Sequence, residues 1–202
     1  MTIIALRRHL IRLALVPAVT ACASSSSRRC GEAVDPGELR RLSMTTDSTL
    51  VALRQAPDSQ AKALQQYLQS VVDRTAALEA CGRIRSASDL QTAAQLALAA
   101  GRLGEETVER AYVWSRRAVV ADTADRASWR VMAHAWDQLQ LLRQQPQWFA
   151  TVIRCEVADG RCVLAPLDTT RVSDPQRAEL GLRTLVQQRE LLDSLNRSLP
   201  KR

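Results

Sequence analysis

Apolar residues recur with helical spacing along most of the chain between residues 38 and 144. One such stripe consists of Ala63, Leu64, Tyr67, Leu68, Val71, Val72 and Ala76. This spacing places the side chains on one face of a helix. Helix-breaking and capping residues such as Pro57 and Gly101 interrupt the pattern. The pattern therefore predicts five helices, over residues 38–54, 58–79, 86–100, 105–120 and 124–144.

The last two of these helices have the clearest inward faces. We expect the helix over 105–120 to bury Val108, Ala111, Tyr112, Ser115 and Val119. We expect the helix over 124–144 to bury Trp129, Met132, Ala133, Trp136, Leu139 and Leu142.

The pattern changes from helical to strand-like after Pro146. Residues 148–157 are rich in aromatic and β-branched side chains, and a second short apolar run follows Asp159-Gly160, a hairpin signal. These features predict a β-hairpin at about residues 147–167. Because two strands alone are marginally stable, the hairpin must pack on the helices.

Two helices are predicted after the hairpin. Asp174 suits a helix cap and Pro175 a first turn, and Gly181 ends this short helix. A last helix covers about residues 184–197.

Small residues in the helical part resemble a degenerate tetratricopeptide repeat. Leu98-Ala99 recurs as Met132-Ala133 after the 34 residues typical of that repeat, and Ala111 and Ala118 occupy positions where it has small residues. Ordinary antiparallel helix packing with small residues by chance is the alternative. The predicted fold class is mainly α, with antiparallel tetratricopeptide-like helix pairs, a C-terminal β-hairpin and short helices.

The first 21 residues have the composition of an export signal. A basic stretch is followed by the apolar run 13–19 and then by small residues. Val19-Thr20-Ala21-Cys22 resembles the lipobox of bacterial lipoproteins, in which the cysteine is acylated and becomes the new N-terminus. An ordinary signal peptide with a chance cysteine is the alternative. The predicted organisation is a lipoprotein signal peptide over 1–21, a flexible tether over 22–35 and a single helical domain over 36–202.

The lipobox resemblance implies a location in the cell envelope and the membrane as a partner, with palmitate among the attached acyl chains. The residue after Cys22 is Ala23 rather than aspartate, which by Gram-negative sorting rules favours the outer membrane. The formal charge of the whole chain is +7, and loss of the three arginines in residues 1–21 leaves +4. The remaining positive charge is spread out, so the sequence does not indicate a nucleic-acid partner.

Four cysteines remain after Cys22, an even number that suits two disulfides in an oxidising compartment. Cys155 and Cys162 flank the predicted turn at Ala158-Asp159-Gly160. Of three possible pairings we therefore expect Cys155–Cys162 with Cys30–Cys81. The spacing does not fit a zinc site, and no metal or cofactor is predicted.

The order of segments between about Asp89 and Leu185 resembles an uncharacterised bacterial family found in secreted proteins and lipoproteins. That family has repeat-like helices, a Gln-x-aromatic-Gly-Thr-Gln strand, a short strand ending in proline, and an Asp-x-x-Arg-x-x-x-Gly-Leu segment. The matching segments here are Gln147–Val152, Leu164–Pro166 and Asp174–Leu185. The family's Gly-Thr-Gln corresponds to Ala150-Thr151-Val152, and its Asp-Arg pair corresponds to Asp137-Gln138. Because polar groups of the pattern are replaced, the resemblance implies that any activity of the family can be lost here.

We expect the folded domain to be a non-enzymatic interaction or scaffolding module that binds an unidentified envelope protein. Its candidate binding face comprises Trp136, Asp137, Gln147, Trp148, Thr151, Asp174 and Arg177. The alternative is an envelope hydrolase with a pocket that gathers Asp137, His134, Gln147 and Thr151. Capping and a local ion pair are the simpler explanation of Asp174 and Arg177. A packing role is the simpler explanation of His134 and Trp148.

Overall fold

The computed structural model describes residues 37–53, 58–156 and 161–198. The predicted signal peptide, the tether, Cys22, Cys30, Pro57 and the turn at 158–160 lie outside the described residues. Within the described ranges, no helix combines the length and the apolar character needed to cross a bilayer.

The fold is mainly α, as predicted, with a two-stranded hairpin and short helices near the C-terminus. Seven α-helices are described: α1 Glu38–Leu53, α2 Asp58–Ala80, α3 Ala87–Ala99, α4 Glu105–Ala121, α5 Arg126–Leu142, α6 Asp174–Glu179 and α7 Leu185–Ser198. A short 3₁₀ turn, Gly101–Leu103, joins α3 to α4. The strands are β1 Ile153–Glu156 and β2 Arg161–Leu164, between α5 and α6.

Side-chain caps fix where the central helices begin. Ser86 and Asp89 form a capping box at the start of α3, and the Asp125 carboxylate accepts hydrogen bonds from the backbone N–H groups of Ala127 and Ser128 at the start of α5. At α6 the cap is Ser173 rather than the predicted Asp174.

The core lies where α3, α4 and α5 pack on one another. The most extensive contacts join α3 to α4 and α4 to α5. The fully buried small residues at this contact are Ala93, Ala94, Ala97, Ala111, Ala118 and Ala135. Alanines allow helix backbones to approach closely, which gives a physical reason for the small residues noted in the sequence.

Burial largely follows the predicted inward faces, with exceptions that include Trp114 and Leu142. Trp114 on α4 is buried although the pattern did not assign it to the core, and its indole Nε1 donates to Glu79 on α2. Leu142, expected to be buried, is exposed because it occupies the last turn of α5.

A second apolar cluster lies beneath the segment that follows α5. Trp129, Met132 and Ala133 of α5 pack there with Phe149, and the other buried members are Val119, Val172 and Leu180. The expected strand over 148–157 is therefore only partly correct: residues 148–152 form a loop against α5, and β1 begins at Ile153.

The hairpin is antiparallel, and its register pairs Cys155 with Cys162. These two cysteines form a disulfide, as predicted, with Cα atoms 3.9 Å apart. Asn196 of α7 holds β2, because its amide oxygen accepts from Cys162 N–H and its amide nitrogen donates to the Cys162 carbonyl. Cys81 is also disulfide-bonded. Its pairing with Cys30 stays a prediction.

Candidate functional site

The loop over residues 148–152 wraps around the carboxylate of Asp137. One oxygen, Oδ1, accepts hydrogen bonds from the N–H groups of Trp148 and Phe149 at 2.8 and 2.9 Å. The other, Oδ2, accepts from Thr151 N at 3.0 Å and from the Thr151 hydroxyl at 2.8 Å. A single side chain on α5 therefore fixes three backbone N–H groups and a hydroxyl group of the loop.

Asp137 is fully buried because it occupies the inward face of α5, four residues after Ala133. Burial raises the pKa of this carboxyl, and the hydrogen bonds from the loop oppose the rise. A buried carboxylate is tolerated only when such donors replace its hydration. The arrangement is therefore expected to hold the loop in one conformation.

Ala150, at the centre of the loop, has a left-handed backbone conformation with φ of 54°. This conformation is costly for a residue with a Cβ atom, by about 1–2 kcal/mol. The bonds that Asp137 accepts from the residues on either side of Ala150 offset that cost.

A chain of polar contacts leads from Asp137 through Thr151 to His134. The Thr151 hydroxyl lies 3.3 Å from His134 Nδ1, and the Gln138 amide nitrogen lies 2.9 Å from His134 Nε2. Because the amide nitrogen is a donor, Nε2 accepts and the proton of the neutral ring is assigned to Nδ1. Burial lowers the pKa of His134, with Asp137 acting in the opposite direction.

Gln147 has no free polar group to offer a ligand. Its amide nitrogen donates to the carbonyls of Val152 and Ala165, and its amide oxygen accepts from Val152 N–H. Its backbone also bonds to Pro166 and Asp168. This buried side chain ties the loop to the segment that follows β2.

Arg177 of α6 holds the same loop from the other side. Its Nη2 donates to the carbonyls of Trp148 and Val172, and its Nε lies 3.5 Å from the Asp174 carboxylate, the local ion pair that was expected. Burial lowers the pKa of Arg177, whereas the charges of Asp174 and Asp137 raise it. Asp174 also accepts a hydrogen bond from Leu185 N–H at the start of α7.

Trp148 covers α5, the role preferred from the sequence. Its ring meets Trp136 edge-on with centroids 4.9 Å apart, and Tyr112 lies 5.1 Å from the other side of Trp136. The Arg171 guanidinium lies 5.1 Å from the Trp148 ring centroid. These contacts pack the loop on the helix.

A cavity of about 330 Å³ lies beside the loop, with Phe149, Ala150 and Thr151 on one side. Helix α5 contributes Arg130 and His134 to its wall. The remaining lining residues come from the segment between α6 and α7 and from α7 itself: Gly181, Leu182, Arg183 and Gln188. This volume is at the small end of the range for ligand pockets.

Gly181 shapes the cavity at the end of α6. It has a φ of 72°, and a Cβ atom at this position would lie 3.1 Å from the Arg126 side chain. Both facts favour glycine, which allows the chain to turn and place Arg183 at the cavity wall.

The structure brings only part of the sequence-predicted site to the cavity. His134 and Thr151 line it, Asp137 lies behind Thr151, and the polar groups of Gln147 are used elsewhere. In the candidate binding face, Asp137, Gln147 and Arg177 are fully buried. These residues therefore form an internal support for the loop and do not present a contact surface.

Sequence reasoning missed Arg130, Arg183 and Gln188, which line the cavity from three separate elements. Only the glycine after α6 marked this wall in the sequence, because it indicated a turn directly before Arg183. Among the described residues, no group of three or more histidine, cysteine or acidic side chains is placed to hold a metal ion.

The fold places the chain in the class of mainly α domains, with a cavity beside the loop over residues 148–152. No protein-family model, curated protein or solved structure matches the chain. The resemblances to lipoproteins and to an uncharacterised bacterial family therefore stay predictions.

Proposed function

We propose that this chain is a membrane-anchored lipoprotein of the cell envelope whose folded domain is a non-enzymatic interaction module. The anchoring part rests on the sequence of the first 22 residues, which ends in Val19-Thr20-Ala21-Cys22. A single acyl chain gives marginal membrane binding, whereas several chains give stable anchoring. The domain would then act at the membrane surface on a tether of about a dozen residues.

The use of the Asp137 carboxylate is the observation that carries the non-enzymatic part. A buried carboxylate whose oxygens accept several backbone N–H groups holds those peptide groups in place. Both Asp137 oxygens accept backbone N–H groups, and the Thr151 hydroxyl is bonded to one of them. These hydrogen bonds therefore support a rigid loop. A cavity wall that is already ordered binds a partner without the entropic cost of ordering it.

Site-specific photo-cross-linking in the native envelope tests the proposal. A photoreactive residue replaces Val186, an exposed apolar residue between Arg183 and Gln188 in the sequence. The matched control replaces Met44, which is similarly exposed on α1. We expect a discrete adduct with an envelope protein from position 186 that is absent at position 44. Identical adducts at both positions, or none at either, would contradict an interaction surface at the start of α7.

A second candidate function, an envelope hydrolase, is favoured by one observation. The Thr151 hydroxyl lies at the cavity wall between His134 and Asp137, where it could act as a nucleophile. Isolated envelopes incubated with the purified full chain would then release soluble fragments. Thr151→Ser should retain such release and Thr151→Ala should abolish it. The non-enzymatic proposal predicts no release above buffer for all three proteins.

A further inference from the structure

We infer that the cavity beside the loop binds a small organic anion, in which an oxyanion group is joined to a short apolar body. The inference deepens the proposed function, because it names the chemistry that the interaction module would recognise. It rests on the charge of the cavity wall, on one buried amide and on the apolar residues of the loop side.

The cavity wall carries positive charge from two separate elements. Arg130 comes from α5 and Arg183 from the segment between α6 and α7, and no acidic residue of the described chain lines the cavity. Both side chains are exposed, and neither forms a hydrogen bond or a salt bridge within the described ranges. Guanidinium groups bind planar carboxylates and phosphates through paired hydrogen bonds, which makes an oxyanion the complementary ligand.

Asp125 interacts electrostatically with Arg130 but forms no hydrogen bond with it. The pKa of Asp125 is lowered mainly by the hydrogen bond from Ser128, and the charge of Arg130 adds to the lowering. Asp125 is nevertheless occupied at the N-terminus of α5, where it caps Ala127 and Ser128. Arg130 therefore keeps its hydrogen-bonding capacity for a ligand.

Gln188 supplies an independent indication of a polar ligand. Only 5% of this residue is exposed, and it lines the cavity. Its backbone N–H bonds to Thr184, but its side-chain amide has no hydrogen-bond partner among the described residues. The amide is not among the fully enclosed polar groups of the described residues, so a molecule in the cavity can reach it and bond to it. His134 and Thr151 add further polar atoms to the same wall.

Phe149 and Leu182 make part of the wall apolar. A bare inorganic ion would leave the half-buried Leu182 in contact with water, whereas the apolar body of an organic anion would cover it. The volume of about 330 Å³ suits a molecule with about ten non-hydrogen atoms.

Ligand-observed NMR on the full chain in detergent tests the inference with three probes. Phenylacetate carries a carboxylate and phenyl phosphate carries a phosphate, each on a phenyl ring. Phenylacetamide is the neutral analogue of phenylacetate. We expect at least one anion to bind about tenfold or more tightly than the amide. Preference for phenylacetate would identify a carboxylate ligand, and preference for phenyl phosphate would identify a phosphate ester.

Arg130→Gln and Arg183→Gln are each expected to weaken binding of the preferred anion by about tenfold, and the double variant to abolish it. Gln188→Leu, which retains the size of the side chain, should weaken binding as well. Arg189→Gln is the matched control, because Arg189 is exposed on α7 next to Gln188 but does not line the cavity. It removes the same charge and should leave binding unchanged.

Three results would overturn the inference: no binding of either anion, equal binding of the amide, or full binding by the double arginine variant. The proposed function is judged separately by the cross-link from position 186. A persistent cross-link with no anion binding would contradict the anion site but leave the partner surface supported. Anion binding without any cross-link would remove the partner surface alone.

Discussion

At the scale of single residues, the buried carboxylate of Asp137 determines the conformation of the loop that borders the cavity. It accepts four hydrogen bonds from residues 148–151 and is fully buried. Charged acceptors in such surroundings bond more strongly than neutral ones, and their donors are costly to leave unpaired. The loop therefore depends on this one side chain far more than on the β-sheet propensity of its own residues.

Replacement of this aspartate by asparagine tests that dependence. In Asp137→Asn, an amide NH2 group would face backbone N–H groups that bond to a carboxylate oxygen in the wild type. We expect a loss of about 2–4 kcal/mol in the free energy of unfolding, measured by urea denaturation. Asp193→Asn, at an exposed position of α7, should change it by less than about 0.5 kcal/mol. Equal stability of the two variants would show that the carboxylate does not hold the loop.

His134 gives the stability of the domain a dependence on pH. Because burial lowers its pKa in the folded state, the unfolded state binds the proton more readily below about pH 6.5. The free energy of unfolding should therefore fall as the pH decreases through this range. The fall is reduced by Asp137, because its charge raises the pKa of His134. In His134→Gln the fall between about pH 7.5 and pH 5.5 should be smaller, as measured by urea denaturation at each pH. An equal or steeper fall in the variant would be inconsistent with a depressed histidine pKa.

At the scale of secondary-structure elements, three helices end in the same hydrogen-bonded turn. At the end of α2, Gly82 N–H donates to the Glu79 carbonyl and Arg83 N–H to the Leu78 carbonyl. Helices α6 and α5 end in the same way, with Gly181 and Gln144 at the position equivalent to Gly82. All three residues have positive φ, so glutamine occupies a site that favours glycine.

Gln144→Gly is therefore expected to raise the free energy of unfolding by about 0.5–1 kcal/mol, because glycine adopts positive φ without a steric cost. Gly82→Ala, at the equivalent position of α2, should lower it by about 1 kcal/mol. Both changes are measured by urea denaturation. Stabilisation by alanine or destabilisation by glycine would show that the turn conformation differs from the one described.

The helices could be predicted from the sequence because their signals are local. Ser86 and Gly101 mark helix ends, and the apolar spacing gives the inward faces. The segment 148–152 was assigned to a strand, since its aromatic and β-branched residues resemble one. Asp137 instead captures its backbone N–H groups, a tertiary contact that no local pattern contains.

The cavity could be predicted only in part, for a related reason. The sequence analysis gives His134 and Thr151 as candidate site residues, and both line the cavity. Arg130, Arg183 and Gln188 lie on elements that meet only in the folded chain. Exposed arginines and a single glutamine carry no sequence pattern that separates them from ordinary surface residues.

At the scale of the whole molecule, two parts of the chain would have different roles. The first 22 residues would place the protein at a membrane, and the helical domain with its cavity would bind there. Cys22 is the residue on which this placement depends, because the proposed acyl chains are attached to its sulfur. An anchored domain encounters its partners at a high effective concentration on the same surface, so weak binding in the cavity would suffice.

Metabolic labelling with an alkyne analogue of palmitate, with and without globomycin, tests the placement of the protein most directly. We predict that the wild-type chain is labelled, fractionates with membranes and accumulates as a larger precursor when globomycin blocks the signal peptidase. Cys22→Ser should be unlabelled and unaffected by globomycin. An unlabelled wild-type chain, or a Cys22→Ser variant that is processed and membrane-bound like the wild type, would contradict the account.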